Sequence, residues 1–180
     1  MKKFLVYLLL IFLAMVFAGL YGMIHDQISY TVSSEYFTKF KFTRFGLDGS
    51  QLPDRIKAAI VGFLASWWMG VPIGLIVGGC GFVHPGARRM FMVTLWSFLV
   101  VIGFTLVFGL CGLLYGWIQT REINLADYNG WYIPAGLVDL RRFLCVGYMH
   151  NSSYLGGVLA IFAAAVFHIA IIIKTKRGSS

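Results

Sequence analysis

Charged side chains are scarce in this chain: they make up 12% of its 180 residues, against 59% hydrophobic. An ordinary soluble domain carries about twice that share of charge and just under half apolar residues, so a fold with water on all sides is excluded. Intrinsic disorder, which requires low hydrophobicity, is excluded by the same numbers. Three cysteines are too few for a secreted disulfide scaffold. Phosphate-binding, dinucleotide-binding and G-x-S-x-G signatures are missing, so no motif names a reaction. What is left describes location and architecture.

In place of charge there are long apolar runs. Crossing about 30 Å of hydrocarbon takes about 20 helical residues, and four runs free of Lys, Arg, Asp and Glu reach that length, at about 4–24, 58–83, 90–118 and 152–173. This predicts an all-α integral membrane protein, one membrane domain over 1–180 with four transmembrane helices. Two long segments, 25–57 and 119–151, lie on one side of the membrane, and a short loop, 84–89, lies on the other.

Cytoplasmic segments retain Lys and Arg during insertion. With the N-terminus inside, the inner segments hold Lys2, Lys3, Arg88, Arg89, Lys174, Lys176 and Arg177 and no carboxylate. The outer segments hold the other eight basic residues and all seven of Asp26, Glu35, Asp48, Asp54, Glu122, Asp127 and Asp139. The pattern predicts both termini inside and a nearly neutral outer cap. A basic start, an apolar run and Val16-Phe17-Ala18 are also signal-peptide features, but the run continues to Ile24, longer than a usual signal core, which favours a retained first span.

Between helices in lipid the hydrophobic drive is weak, and small residues four apart allow close backbone approach. The second run carries such a stripe in Gly62, Ser66, Gly70, Gly74 and Gly78, and the others carry Ala14/Ala18/Gly22, Gly112/Gly116 and Gly156/Ala160/Ala164. Pro72 predicts a kink, and the tryptophan pair Trp67-Trp68, which prefers the headgroup level, predicts a second helix that starts near Pro53 and enters lipid near Trp67.

In the first outer segment, Ile28, Tyr30 and Val32 alternate with polar residues, as do Phe40 and Phe42 with lysines. That period of two predicts a small β-hairpin around Ser33-Ser34. In the second, Leu137, Leu140 and Leu144 share one helical face after Pro134, which predicts a short interfacial helix with an Asp139–Arg142 pair at i, i+3.

Candidate chemistry lies mainly at the outer boundary. His25 and Asp26 end the first span, Glu35 lies across the proposed hairpin, and His150 begins the last span. Imidazoles and carboxylates of this kind hold zinc or copper, or serve as general acid and base, so the catalytic candidates are His25, Asp26 and Glu35 and the metal-ligand candidates are His25, Glu35 and His150. The spacing fits no standard motif. The competing reading has Asp26 paired with Arg141 or Arg142 and His25 anchoring the interface. His168 lies deep in the last span, where a hydrogen-bonded bundle histidine is the plainer reading than a haem or metal ligand, and His84 falls in the turn beside Pro85-Gly86. Cys145, with His150 five residues on, reads as a small hydrophobe before it reads as a nucleophile.

Tyr21 to Phe42, YGMIHDQISYTVSSEYFTKFKF, together with Ala65-Ser66-Trp67-Trp68, resembles a family of uncharacterised bacterial multi-pass membrane proteins with Y-G-x-x-H-D-Q…E-Y-F-T after the first span and A-[ST]-W-W in the second. The resemblance covers the first half of the chain. It implies the bacterial cytoplasmic membrane, singles out His25, Asp26, Gln27, Glu35, Tyr36 and Phe37, and implies no activity or cofactor. The first functional expectation is binding of a partner protein or lipid through the outer cap. A membrane enzyme or metal-binding protein using His25, Asp26, Glu35 and His150 comes second, and a subunit of an oligomeric transporter or channel third. The expected partners are the bilayer and a membrane protein or second copy of the chain, and not nucleic acid.

Overall fold

The computed structural model describes residues 2–177. It is all-helical, with no strand among the described residues. Four helices are long and apolar enough to cross a membrane: α1 (Lys2–Val32), α2 (Asp54–Val83), α3 (Ala87–Gln119) and α4 (Leu140–Arg177). At 1.5 Å per residue they reach about 45 to 57 Å, well beyond a hydrocarbon core of about 30 Å, so their ends must project from it.

The helices associate as two tight pairs. Gly22 of α1 and Gly62 of α2 meet backbone to backbone, and a methyl group added to either would run into the other's carbonyl. Further along, Gly70 faces the backbone of Ala14 and Met15, Gly74 faces Ile11 and Ala14, and Gly78 lies against the Tyr7 ring. The Ser66 hydroxyl sits against Gly22. The whole predicted stripe therefore faces α1. In the second pair, Gly112 and Gly116 of α3 receive Ser152, Tyr148 and Cys145 of α4, while Gly156 of α4 receives Phe108.

Helix α2 begins directly after Pro53, as predicted, and tightens into a 3₁₀ turn at Trp67–Met69. Pro72, three residues beyond that turn, has no N–H to offer the Trp68 carbonyl. The Gly70 N–H bonds the Trp67 and Trp68 carbonyls instead. At the far end of α2, Gly86 adopts φ +74°, a left-handed turn suited to glycine, and reverses the chain into α3. Lys3 donates to the carbonyls of Phe82 (3.1 Å) and His84 (2.7 Å), placing a cation on the C-terminal end of α2.

The opposite end of the bundle carries an aromatic cap, whose buried core includes Tyr36, Phe37, Phe42, Tyr128 and Phe143. The predicted hairpin is absent from it. Residues 27–32 complete α1, and Phe37–Lys41 form a π-helical turn that runs on into Phe42–Arg44. The Ser29 and Thr31 hydroxyls are satisfied inside the helix by the carbonyls four residues earlier, which makes these polar positions tolerable there without driving helix formation. Helix α2 gives this stretch a partner: Gln27 donates to the Arg55 carbonyl at 2.9 Å, and Arg55 donates to the Gln27 carbonyl and Thr31.

The predicted interfacial helix is likewise corrected. Residues 134–139 are non-helical and Leu140 opens α4 itself, so Leu140 and Leu144 belong to the extended last helix while Leu137 lies in the loop before it. Asp139 starts it. Its side chain accepts from the Arg142 backbone N–H at 2.9 Å and pairs with the Arg142 guanidinium at 3.3 Å, the i, i+3 pair expected from sequence.

Replacing Gly62 with Ala should destabilise the fold by about 1–3 kcal/mol through overpacking. Gly79→Ala, on the same helix but with nothing within 4 Å, should be neutral. Denaturant unfolding in mixed micelles distinguishes the two, and equal effects would overturn the assignment of the stripe to α1.

Candidate functional site

The sites described here grow out of helix geometry at the boundary between the cap and the bundle. His25 and Asp26 occupy the penultimate turns of α1, and His150 occupies the third turn of α4. All three are buried. One carboxylate oxygen serves both imidazoles: Asp26 Oδ1 lies 3.1 Å from His25 Nδ1 and 3.2 Å from His150 Nε2. The two imidazole rings meet edge to face, with centroids 4.6 Å apart. One donor atom from each of the three residues lies within 4.8 Å of the others.

The outer nitrogens are held as well. His150 Nδ1 is 2.9 Å from the Val146 carbonyl, and His25 Nε2 is 3.0 Å from Ser153 Oγ, which also accepts from the Tyr21 hydroxyl at 3.3 Å. From the cap side Tyr36 stacks on the His150 ring at 4.9 Å and 28°. Burial, with smaller contributions from Tyr154 and Asp26, pushes the Tyr36 phenol up from its ordinary value, so this cover stays uncharged.

On the bundle side the cluster opens into a cleft of about 90 Å³ between the two helix pairs. From Asp26 to Ala14 it runs about 18 Å along α1. Phe17, Ile73, Phe98, Val101 and Ile102 line its length, and Tyr21, His25, Asp26, His150 and Ser153 gather at its polar end. The volume is below the roughly 150 Å³ of a cavity that holds benzene, so it takes the end of a molecule and not a whole lipid.

Glu35 is not part of this cluster. Its carboxylate accepts from the backbone N–H groups of Val138 (2.9 Å) and Asp139 (2.8 Å), immediately before α4, where a negative charge is favoured. The Y-G-x-x-H-D-Q…E-Y-F segment is thereby accounted for residue by residue. Tyr21, His25 and Asp26 build the cluster, Gln27 ties α1 to α2, Glu35 holds the entry to α4, Tyr36 covers His150, and Phe37 fills the cap core.

Nor does Asp26 reach Arg141 or Arg142. Arg141 donates to the Trp117 carbonyl at 3.0 Å, and Arg142 pairs with Asp139. Cys145 is buried against Thr120. Sequence reasoning missed Tyr21 and Ser153, although their spacings, four before His25 and three after His150, place each on the same helical face as its histidine.

No family model, curated protein or solved structure matches this chain. The site must be read from its own chemistry.

A second histidine pair lies at the other end of the bundle. Ser97 Oγ donates to the Thr94 carbonyl (2.7 Å), so its oxygen receives the His168 Nε2–H (3.2 Å). His168 Nδ1 is then free to accept the His84 Nε2–H (2.9 Å). These three bonds can all form with both imidazoles neutral. Burial, aided by Arg89 and Lys3, holds His84 below its ordinary value near 6.5.

The unfolded chain therefore takes up a proton at His84 before the folded chain does. The stability this contributes is complete above about pH 6.5 and is lost as pH falls toward the folded-state value. Lowering pH from about 7.5 to 5 should reduce the unfolding midpoint, and His84→Gln should flatten that dependence. A midpoint profile identical to wild type would show that His84 does not contribute.

Proposed function

We propose that this chain is a multi-pass protein of the bacterial cytoplasmic membrane that binds a membrane amphiphile, receiving its polar head at the His25–Asp26–His150 end of the cleft. One observation carries the reading: an apolar channel between helix pairs ends in five hydrogen-bonding side chains. Pockets of this polarity orient a ligand by a few convergent polar groups while apolar walls supply contact. Both imidazoles bond the same Asp26 oxygen, Oδ1, which leaves Oδ2 to accept from a head carrying a hydroxyl donor. The head and the first tail carbons fill the cleft beside Phe17, Phe98 and Ile102, and the rest of the tail lies in the bilayer.

This places lipid recognition in the bundle and not on the cap surface, because the cap's distinctive polar residues are engaged internally. Gln27, Arg55 and Glu35 all bond backbone groups of neighbouring elements. The proposed orientation has both termini and the 84–89 loop in the cytoplasm. Seven basic residues and no carboxylate lie at that end, and all seven carboxylates lie at the other.

The cleft is tested by lipidomics of the protein purified in native nanodiscs. One lipid class should be enriched over the surrounding membrane, and Gly157→Leu should abolish the enrichment. Gly157 lines the cleft and has ordinary contact space, with Thr105 Oγ1 3.8 Å from an added methyl group, so the larger side chain fills the cleft without prising helices apart. Lipid in bulk proportions from wild type would sink the proposal. For orientation, an impermeant maleimide should label Asp48→Cys in spheroplasts, and Arg88→Cys only after permeabilisation. The reverse pattern would invert the assignment.

A further inference from the structure

The two histidine clusters differ in one respect. Along His84–His168–Ser97 each contact pairs a donor with an acceptor while both imidazoles stay neutral. At His25–Asp26–His150 the count fails. A carbonyl oxygen can only accept, so the contact with Val146 requires that His150 Nδ1 carry a proton. In a neutral imidazole the other nitrogen, Nε2, then bears a lone pair, and that lone pair faces the Asp26 carboxylate at 3.2 Å. A cation has to lie between them: a proton or a metal ion.

The surroundings favour a metal. We propose that Asp26, His25 Nδ1 and His150 Nε2 hold a divalent first-row transition-metal ion. Ligand bonds near 2.05 Å at tetrahedral angles place donor atoms about 3.3 Å apart, and the two carboxylate–imidazole separations are 3.1 and 3.2 Å. Metal-ligating histidines generally donate their remote N–H to a fixed acceptor, which sets the tautomer and aims the lone pair. Both histidines have one: Val146 O for His150 Nδ1, and Ser153 Oγ for His25 Nε2. Ser153 in turn packs against Gly109, where a methyl group would displace it, so the acceptor is itself held in place.

Two imidazoles and one carboxylate suit zinc(II) or iron(II), and three protein ligands leave at least one coordination position free. These residues line the cleft, so the free position belongs to whatever enters it. Tyr36 closes the cap side. The inference stands apart from the amphiphile reading, since the ion needs no lipid to bind and lipid enrichment needs no ion to be measured.

The test uses tag-free, full-length protein in nanodiscs, stripped with chelator and titrated with Co²⁺ and then Zn²⁺. One equivalent of Co²⁺ should bind with the ligand-field bands of a four- or five-coordinate ion, and Zn²⁺ should displace it. Asp26→Asn and His150→Gln should each weaken binding at least about tenfold, while His168→Gln, at the other histidine pair, should leave it unchanged. Should a variant fail to fold, X-ray absorption of the zinc-loaded wild type carries the test by counting imidazole ligands, and two are expected. No stoichiometric binding, fewer than two imidazoles, or folded Asp26→Asn and His150→Gln variants of undiminished affinity would overturn the proposal and leave a proton as the shared cation.

Discussion

Close approach of backbones in lipid is the constraint from which the rest of this structure follows. Lipid tails are as apolar as leucine, so helices gain little by burying leucine against each other and must gain by van der Waals contact and hydrogen bonding. Gly22 against Gly62, and Gly112 against Ser152, bring the two members of each pair to a separation that any larger side chain would forbid. The space between the pairs is less tightly filled, and the cleft lies there. The same small residues that close one interface thus leave the other open. Gly109 shows the connection to chemistry: it makes room for Ser153, and Ser153 holds His25.

A buried carboxylate beside a largely apolar cleft is costly unless its charge is matched. Asp26 is matched by two imidazoles, and the elements that deliver them are far apart in the chain. His25 arrives with α1, and His150 arrives on α4, whose entry is fixed by Glu35 accepting the Val138 and Asp139 amides. Tyr36, the next residue, then covers His150. One short stretch after the first helix therefore both positions the last helix and seals the cluster. That is a physical reason for its dense mixture of aromatic and polar residues.

The four spans, the start of α2 after Pro53, the facing role of the Gly62 to Gly78 stripe and the Asp139–Arg142 pair were all legible from residue spacing. The hairpin was not. Alternation over Gln27 to Val32 is a local signal, and it lost to continuation of α1 against α2, where Gln27 and Thr31 meet Arg55. The interfacial helix after Pro134 failed differently. Leu140 and Leu144 of the expected face do lie on a helix, but Leu137 precedes it, and the helix that Asp139 opens runs on to Arg177. Glu35 illustrates a third failure. Its nearness to His25 in sequence suggested a shared site, while the chain turn at Ser33-Ser34 directs it to the α4 entrance.

The sequence by itself determined four helices long and apolar enough to cross a membrane, the separation of basic residues from carboxylates, and faces on which helices pack, because each depends on composition or on the 3.6-residue period. Only the tertiary structure decided that His25, Asp26 and His150 share one oxygen, that His84 meets His168, and that a cleft separates two helix pairs. Those outcomes depend on the relative rotation and depth of helices 84 to 124 residues apart in the chain. No local period encodes that rotation. The glycine contacts fix it to within a side chain's width.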